Sequence, residues 1–199
     1  MTELDARALG AFHDGLHAIA GWARSGAAAH ASGLWQAVES NHRCNCLLWD
    51  EEDLARRRNV PDAEIANNKR AIDGYNQKRN DAIERIDEHL LASLAGVRKH
   101  ENARLNSETP GGMIDRLSIL SLKIHHMRLQ TLRADVDRAH IESCRMKLAR
   151  FNEQRADLAS CLDRLLAESR RGESWFKIYR QFKMYNDPAL NPAIYGEDR

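Results

Sequence analysis

Between Pro61 and Leu94, residues at alternating steps of three and four read Ile65, Lys69, Ile72, Asn76, Arg79, Ile83, Ile86, Leu90 and Leu94. That spacing is the period of an α-helix packing one face against neighbours, and a run this long is incompatible with a strand. Pro61 suits the first helical position, and Asp62 and Glu64 lie in the first turn, where the helix dipole favours negative charge. The ends of the stripe are apolar and its middle is not. Asp73, Asn80 and Asp87 run beside it seven residues apart, and Gly74 interrupts the same stretch, leaving room for a neighbour or ligand to approach.

Four further segments carry the same period. Residues 5–24 place Leu9, Phe12, Leu16, Ile19 and Ala23 on one face, and the small-residue run Ser25–Gly33 reads as a hinge. Residues 34–58 align Trp35, Val38, His42, Asn45, Trp49 and Glu52. Thr109-Pro110 is a helix start signal before residues 112–137, with Met113, Leu117, Leu120, Ile124 and Met127 in register. Residues 139–170 align Cys144, Leu148, Phe151, Arg155, Leu158, Leu162 and Leu165, ending at Gly172. The junction between these last two reads equally well as a turn or as continuous helix. Residues 173–184 predict a short sixth helix with Trp175, Tyr179 and Phe182 on its docking face, followed by an extended tail. The expected fold is all-α: an antiparallel bundle of about five long helices plus a short C-terminal helix and tail. One domain is expected, with an N-terminal helix and hinge over 1–33, a bundle core over 34–172, and a docking helix and tail over 173–199.

With 30 basic and 29 acidic residues the net charge is +1, so nothing draws the chain as a whole to nucleic acid or to an anionic membrane. No apolar run reaches the roughly 18–20 residues that span a bilayer. The opening Met1-Thr2-Glu3-Leu4-Asp5 lacks the basic and apolar regions of a signal peptide, which points to the cytoplasm. Cys44, Cys46, Cys144 and Cys161 form no CxxC pair and read as reduced thiols on or near core faces; no metal ligand set and no cofactor is assigned.

The polar residues within the seams are the candidate site. Burying such groups costs free energy unless they are paired. Either they pair with one another, fixing the helix register, or they line a pocket. In the pocket reading His42 and Glu52 are the acid/base pair, and Lys69, Arg79 and Arg155 hold the oxygens of a small anionic ligand. Asn45, Asn76, Asp73 and Asn80 complete the polar wall. A third reading is a di-metal carboxylate bundle, from Glu39-Ser40-Asn41-His42 and the looser Asp137-Arg138-Ala139-His140. His13 and His17, four apart on the first helix, read as a solvated or half-buried pair.

Several blocks resemble one bacterial family, the domain of unknown function numbered 4254. They are Asn41-His42-Arg43 with Leu47-Leu48-Trp49-Asp50-Glu51-Glu52-Asp53, Lys69-Arg70-Ala71-Ile72-Asp73 with Asn76-Gln77-Lys78-Arg79-Asn80-Asp81, and Glu108-Thr109-Pro110-Gly111 with Asp115-Arg116-Leu117-Ser118-Ile119-Leu120-Ser121-Leu122-Lys123-Ile124. The resemblance runs from about Trp35 to Tyr195, including Lys183-Met184-Tyr185-Asn186-Asp187-Pro188, and its motif residues include His42, Asn45, Glu52, Lys69, Asp73, Asn76, Arg79, Asn80 and Asp115. It implies no established reaction. Members are often encoded beside glycosyltransferases of lipopolysaccharide and other envelope saccharides. This implies a role in envelope glycan assembly, either on a sugar phosphate or nucleotide sugar or as an accessory partner of a glycosyltransferase.

Overall fold

The computed structural model describes residues 4–181 and 187–196. Its helices are α1 (Ala6–His17), α2 (Trp22–Ser25), α3 (Gly33–Leu54), α4 (Asp62–Ser93), α5 (Pro110–Thr131), α6 (Arg138–Arg170) and α7 (Pro192–Tyr195). Two-residue strands β1 (Arg104–Leu105) and β2 (Ser174–Trp175) are the only strands among the described residues. The fold is an all-α bundle in which α3 packs on α4 and α5 on α6, with α5 also touching α1, α3 and α4. No described helix is long and apolar enough to cross a membrane.

The start signals act as their chemistry requires. Pro61 stands one residue earlier than expected, at the N-cap of α4 with no side-chain capping bond; the Thr109 hydroxyl accepts from the Gly112 N–H at 3.1 Å, and Asp137 caps α6 by accepting from the His140 N–H at 2.7 Å. Asp137 thereby resolves the α5–α6 junction as a turn. Residues 5–24 are not one helix: α1 stops at His17, and Gly21 adopts φ 68° before α2, a left-handed conformation that glycine tolerates best. The helix expected over 34–58 ends at Leu54.

The docking helix expected over Glu173–Met184 is absent where it is described. Gly172, at φ 75°, turns the chain out of α6, and Ser174 and Trp175 pair in parallel with Arg104 and Leu105. Residues 176–181 continue without helix; residues 182–184 of that expectation, with 185 and 186 of the segment after it, lie outside the described residues. Phe176 is buried, whereas Tyr179 is exposed. Arg180 holds this segment on α4 through Glu84 and Glu88, at 2.6 Å each.

The apolar core joins Leu9, Val38, Ile86, Leu90, Met113, Ile114, Leu117, Leu158, Leu162, Leu165 and Phe176. Where α5 starts, Gly111 donates its N–H to Asp87 Oδ1 at 2.6 Å, and a Cβ there would lie 2.6 Å from the Ile83 carbonyl oxygen. The close approach of α4 and α5 therefore depends on that glycine. Gly74, by contrast, faces open space.

Candidate functional site: a polar centre, a cleft and a histidine cluster

Helix α5 is buried on two faces. One, with Met113, Leu117 and Leu120, belongs to the leucine core; the other carries Asp115 and Ser118, one turn apart. Facing the latter from α3 are Asn41 and Asn45, also one turn apart. Both donate a side-chain amide N–H to Asp115 Oδ1 at 2.8 Å. Asn45 also donates to Ser118 Oγ at 3.0 Å, and His42 Nδ1 pairs with the same oxygen at 2.8 Å. This network is closed: every member is buried and has a partner within it. Arg79 of α4 approaches from outside, its Nε 4.0 Å from Asp115 Oδ1; that nitrogen is buried and has no hydrogen-bond partner among the described residues.

Arg79 and Asn45 form one wall of a cleft of about 310 Å³ between α3, α4 and α5, with Trp49, Glu52, Asp53 and Arg56 around it. The Trp49 ring stacks on His126, centroids 4.4 Å apart and planes nearly parallel. Glu52 stands at the mouth, 3.7 Å from Lys69 Nζ and 2.9 Å from Arg56. Thus Asn45, Glu52 and Arg79 share one cavity, with Lys69 exposed beside it. His42 does not join them. It precedes Glu52 by ten residues, about 15 Å along the helix, and its ring lies in the closed network.

The other expected site residues scatter. Asp73 is exposed and Asn76 half-buried. Asn80 is buried and donates to Gln181 Oε1 at 2.8 Å, so it anchors the C-terminal segment. Arg155 sits on α6 and grips both oxygens of Asp14 at 2.9 Å, in a separate cavity of about 480 Å³ between α1, α5 and α6. Arg79 and Arg155 cannot hold one small ligand between them. The carboxylates of the di-metal reading are engaged as well: Glu39 accepts from the Ala29 and His30 N–H groups at 3.0 and 3.1 Å, and Asp137 serves as a helix cap.

A cluster of imidazoles adjoins the closed network, and sequence reasoning missed it. His13 and His17 of α1 meet His42, their ring centroids 4.4 and 4.9 Å from it; His125 stacks on His17 at 4.7 Å, and Trp22 lies over His42 at 5.8 Å. His17 Nε2 pairs with Ser121 Oγ at 3.1 Å, and that hydroxyl donates to Asp14 Oδ1 at 2.9 Å. Cys46 Sγ lies 3.8 Å from His42 Nε2. Far from being solvated, His13 is 1% exposed, and neither of its ring nitrogens has a partner among the described residues.

Burial, reinforced by neighbouring imidazoles, favours the neutral form of His13, His17 and His42. It lowers His13 to about 3 and His17 to about 4, and holds His42 well below the ordinary histidine value. Burial also pushes the Cys46 thiol up to about 12. The signal available in sequence was weak: an i, i+4 histidine pair on α1 and two serines on α5, whose partners lie on other helices.

No curated protein and no solved structure matches the chain. The family model described as Protein of unknown function (DUF4254) matches residues 35–178. That span takes in the closed network and the Arg79 cleft and begins after His13 and His17 of α1. Because the match covers well over half of its length, the chain belongs to the DUF4254 family.

Proposed function

We propose that the chain binds a small anionic compound of the sugar-phosphate or nucleotide-sugar type in the Arg79 cleft, within envelope glycan or lipopolysaccharide biosynthesis in the bacterial cytoplasm. The observation that carries this reading is the buried Arg79 Nε, a donor without an acceptor on the wall of a cavity. Such a group costs about 1–3 kcal/mol, and a phosphate or carboxylate oxygen supplies the missing acceptor in the bidentate geometry a guanidinium favours. A volume of about 310 Å³ is at the small end for ligand pockets and suits a sugar phosphate or the sugar end of a larger donor. Glu52, at the mouth, is the group available for proton transfer to or from a bound hydroxyl. His42 supports the wall through Ser118 and Asn45 rather than facing the cleft. The link to glycan assembly rests on the family's gene neighbourhood alone.

Thermal-shift and calorimetric titrations with hexose phosphates and uridine-diphosphate sugars test the reading. A ligand that binds only the folded chain raises its melting temperature. The expected result is a shift with at least one of these classes that Arg79→Met abolishes. No shift with either class, or undiminished binding by the variant, overturns it. The mutual satisfaction of Asn41, Asn45, Asp115, Ser118 and His42 favours a second reading, a non-catalytic partner of a glycosyltransferase whose polar centre only fixes helix register. Co-purification with such an enzyme, together with full activity of Arg79→Met in cells, supports that alternative.

A further inference from the structure

A different constellation lies beside the closed network and does not depend on any ligand in the Arg79 cleft. One ring nitrogen each of His17 and His42, and the Sγ of Cys46, all lie within 4.8 Å of one another. His42 and Cys46 are one turn apart on α3 and so share a helix face, while His17 comes from the last turn of α1. We propose that these three side chains form a binding site for a borderline-soft transition-metal ion, Zn²⁺ in the first instance.

Three features support the site. The first is that each imidazole is held at its other nitrogen, as in metal-binding histidines, where an outer partner fixes tautomer and orientation. Ser118 Oγ holds His42 Nδ1 and is itself held by Asn45, leaving Nε2 on the Cys46 side. Ser121 Oγ holds His17 Nε2 and donates to Asp14, which Arg155 clamps through both oxygens, so Nε2 carries the ring proton and Nδ1 the lone pair. The second is that His42 Nε2 and Cys46 Sγ already stand 3.8 Å apart on one face of α3, so one ion can reach both with little rearrangement. On coordination the thiol proton leaves to solvent as the metal–thiolate bond forms, since a coordinating thiol is deprotonated outright. The third is access: His17, in the last turn of α1, is only partly buried and is the side from which an ion reaches the site.

The donor set identifies the class of ion. Two imidazoles and a thiolate suit Zn²⁺ and its neighbours rather than Mg²⁺ or Ca²⁺, which take oxygen ligands. Three protein ligands leave the fourth position of a tetrahedral ion to water or a substrate, the pattern of catalytic rather than closed structural zinc sites.

Cobalt titration of the full chain, stripped with a chelator and kept reduced, tests the proposal. A single equivalent of Co²⁺ is expected to raise a thiolate-to-cobalt charge-transfer band that Zn²⁺ then bleaches. Cys46→Ser should abolish the band while circular dichroism stays native. Cys46→Ser and His17→Gln should each weaken Zn²⁺ binding by more than the roughly 10–100-fold that loss of an outer partner costs. Cys44→Ser, on a different face of α3, should leave band and affinity unchanged. Both ligand variants lie at partly buried positions, so the test does not require substituting the fully buried His42. Absence of the band in the unaltered chain, its persistence in Cys46→Ser, or Zn²⁺ affinity indifferent to both ligand variants overturns the site.

Discussion

Asp115 and His13 are both buried polar groups in the zone around His42, and they differ in almost everything else. Asp115 accepts from two asparagine amides and faces a guanidinium. His13 lies flat against His42 with both nitrogens unpartnered among the described residues. The Asp115 region is saturated, and a change there strips partners from groups that cannot reach water. The His13 region is neutral and under-committed, so it can change or take up another atom at little cost. One helix interface thus holds a register-fixing lock beside a set of groups available for chemistry.

Asp115→Ala should break the lock. It leaves the Asn41 amide without its acceptor, leaves Asn45 with only Ser118 and Asn41, and removes the carboxylate that faces Arg79; breaking such a buried charged centre costs about 3–5 kcal/mol. His13→Leu removes a group with no hydrogen bonds to lose, so its stability should stay within about 1 kcal/mol of the parent or rise. Urea denaturation of the two variants reads the contrast directly, and equal losses would show that the regions do not differ as described. Leu162→Ala calibrates both from the leucine face of the bundle. Leu162 is fully buried in the core, and truncation there should cost about 2–5 kcal/mol.

Asp87 adds a pH-dependent member to the comparison. Burial raises its carboxyl to about 6, although the Gly111 N–H and Thr109 pull the other way. In the unfolded chain it titrates near 3.8, so between about pH 4 and 6 the folded form holds more protons than the unfolded one. Its contribution is therefore greatest below about pH 4, declines by at most about 1.4 kcal/mol per pH unit as pH rises to 6, and is flat above that. Asp87→Asn keeps an oxygen for Gly111 and removes the titration. The parent-minus-variant stability difference should fall between about pH 4 and 6, and a flat difference would mean that folding does not raise the Asp87 carboxyl.

The helices were legible because each buries a face whose period is written in its own residues: Ile72, Ile86 and Leu90 on α4, Leu158, Leu162 and Leu165 on α6. The closed network was half legible. His42 and Asn45 lie on the α3 stripe, but Asn41 lies beside it. Asp115 fell off the single seam drawn through the α5 leucines because α5 is buried on two faces. The grouping of His42 with Glu52, and of Arg79 with Arg155, failed for a geometric reason. A helix stripe shares a face over its whole length, whereas a small ligand reaches only a turn or two. The expected docking helix failed because aromatic spacing around Trp175 does not distinguish a helix face from a strand lying against Arg104 and Leu105. The His13–His17–His42 cluster needs two contacts between α1 and α3, which no local pattern encodes.

The smallest expected effect bears on whether the two cavities act separately. Arg155 is bonded to Asp14 on the rim of the α1–α6 cavity, with its side chain 24% exposed and that of Asp14 41% exposed. Solvent screens such a pair, and its removal in Arg155→Gln should change stability by less than about 1 kcal/mol. Because Arg155 lines a different cavity from Arg79, the substitution should leave sugar-phosphate binding at the Arg79 cleft unaltered in a calorimetric titration, where Arg79→Met abolishes it. Zn²⁺ affinity should fall slightly, since Arg155 reaches His17 only through Asp14 and Ser121. A loss of sugar-phosphate binding in Arg155→Gln as large as that in Arg79→Met would mean that the two cavities work as one site, and the separation drawn between the Arg79 cleft and the histidine side would not stand.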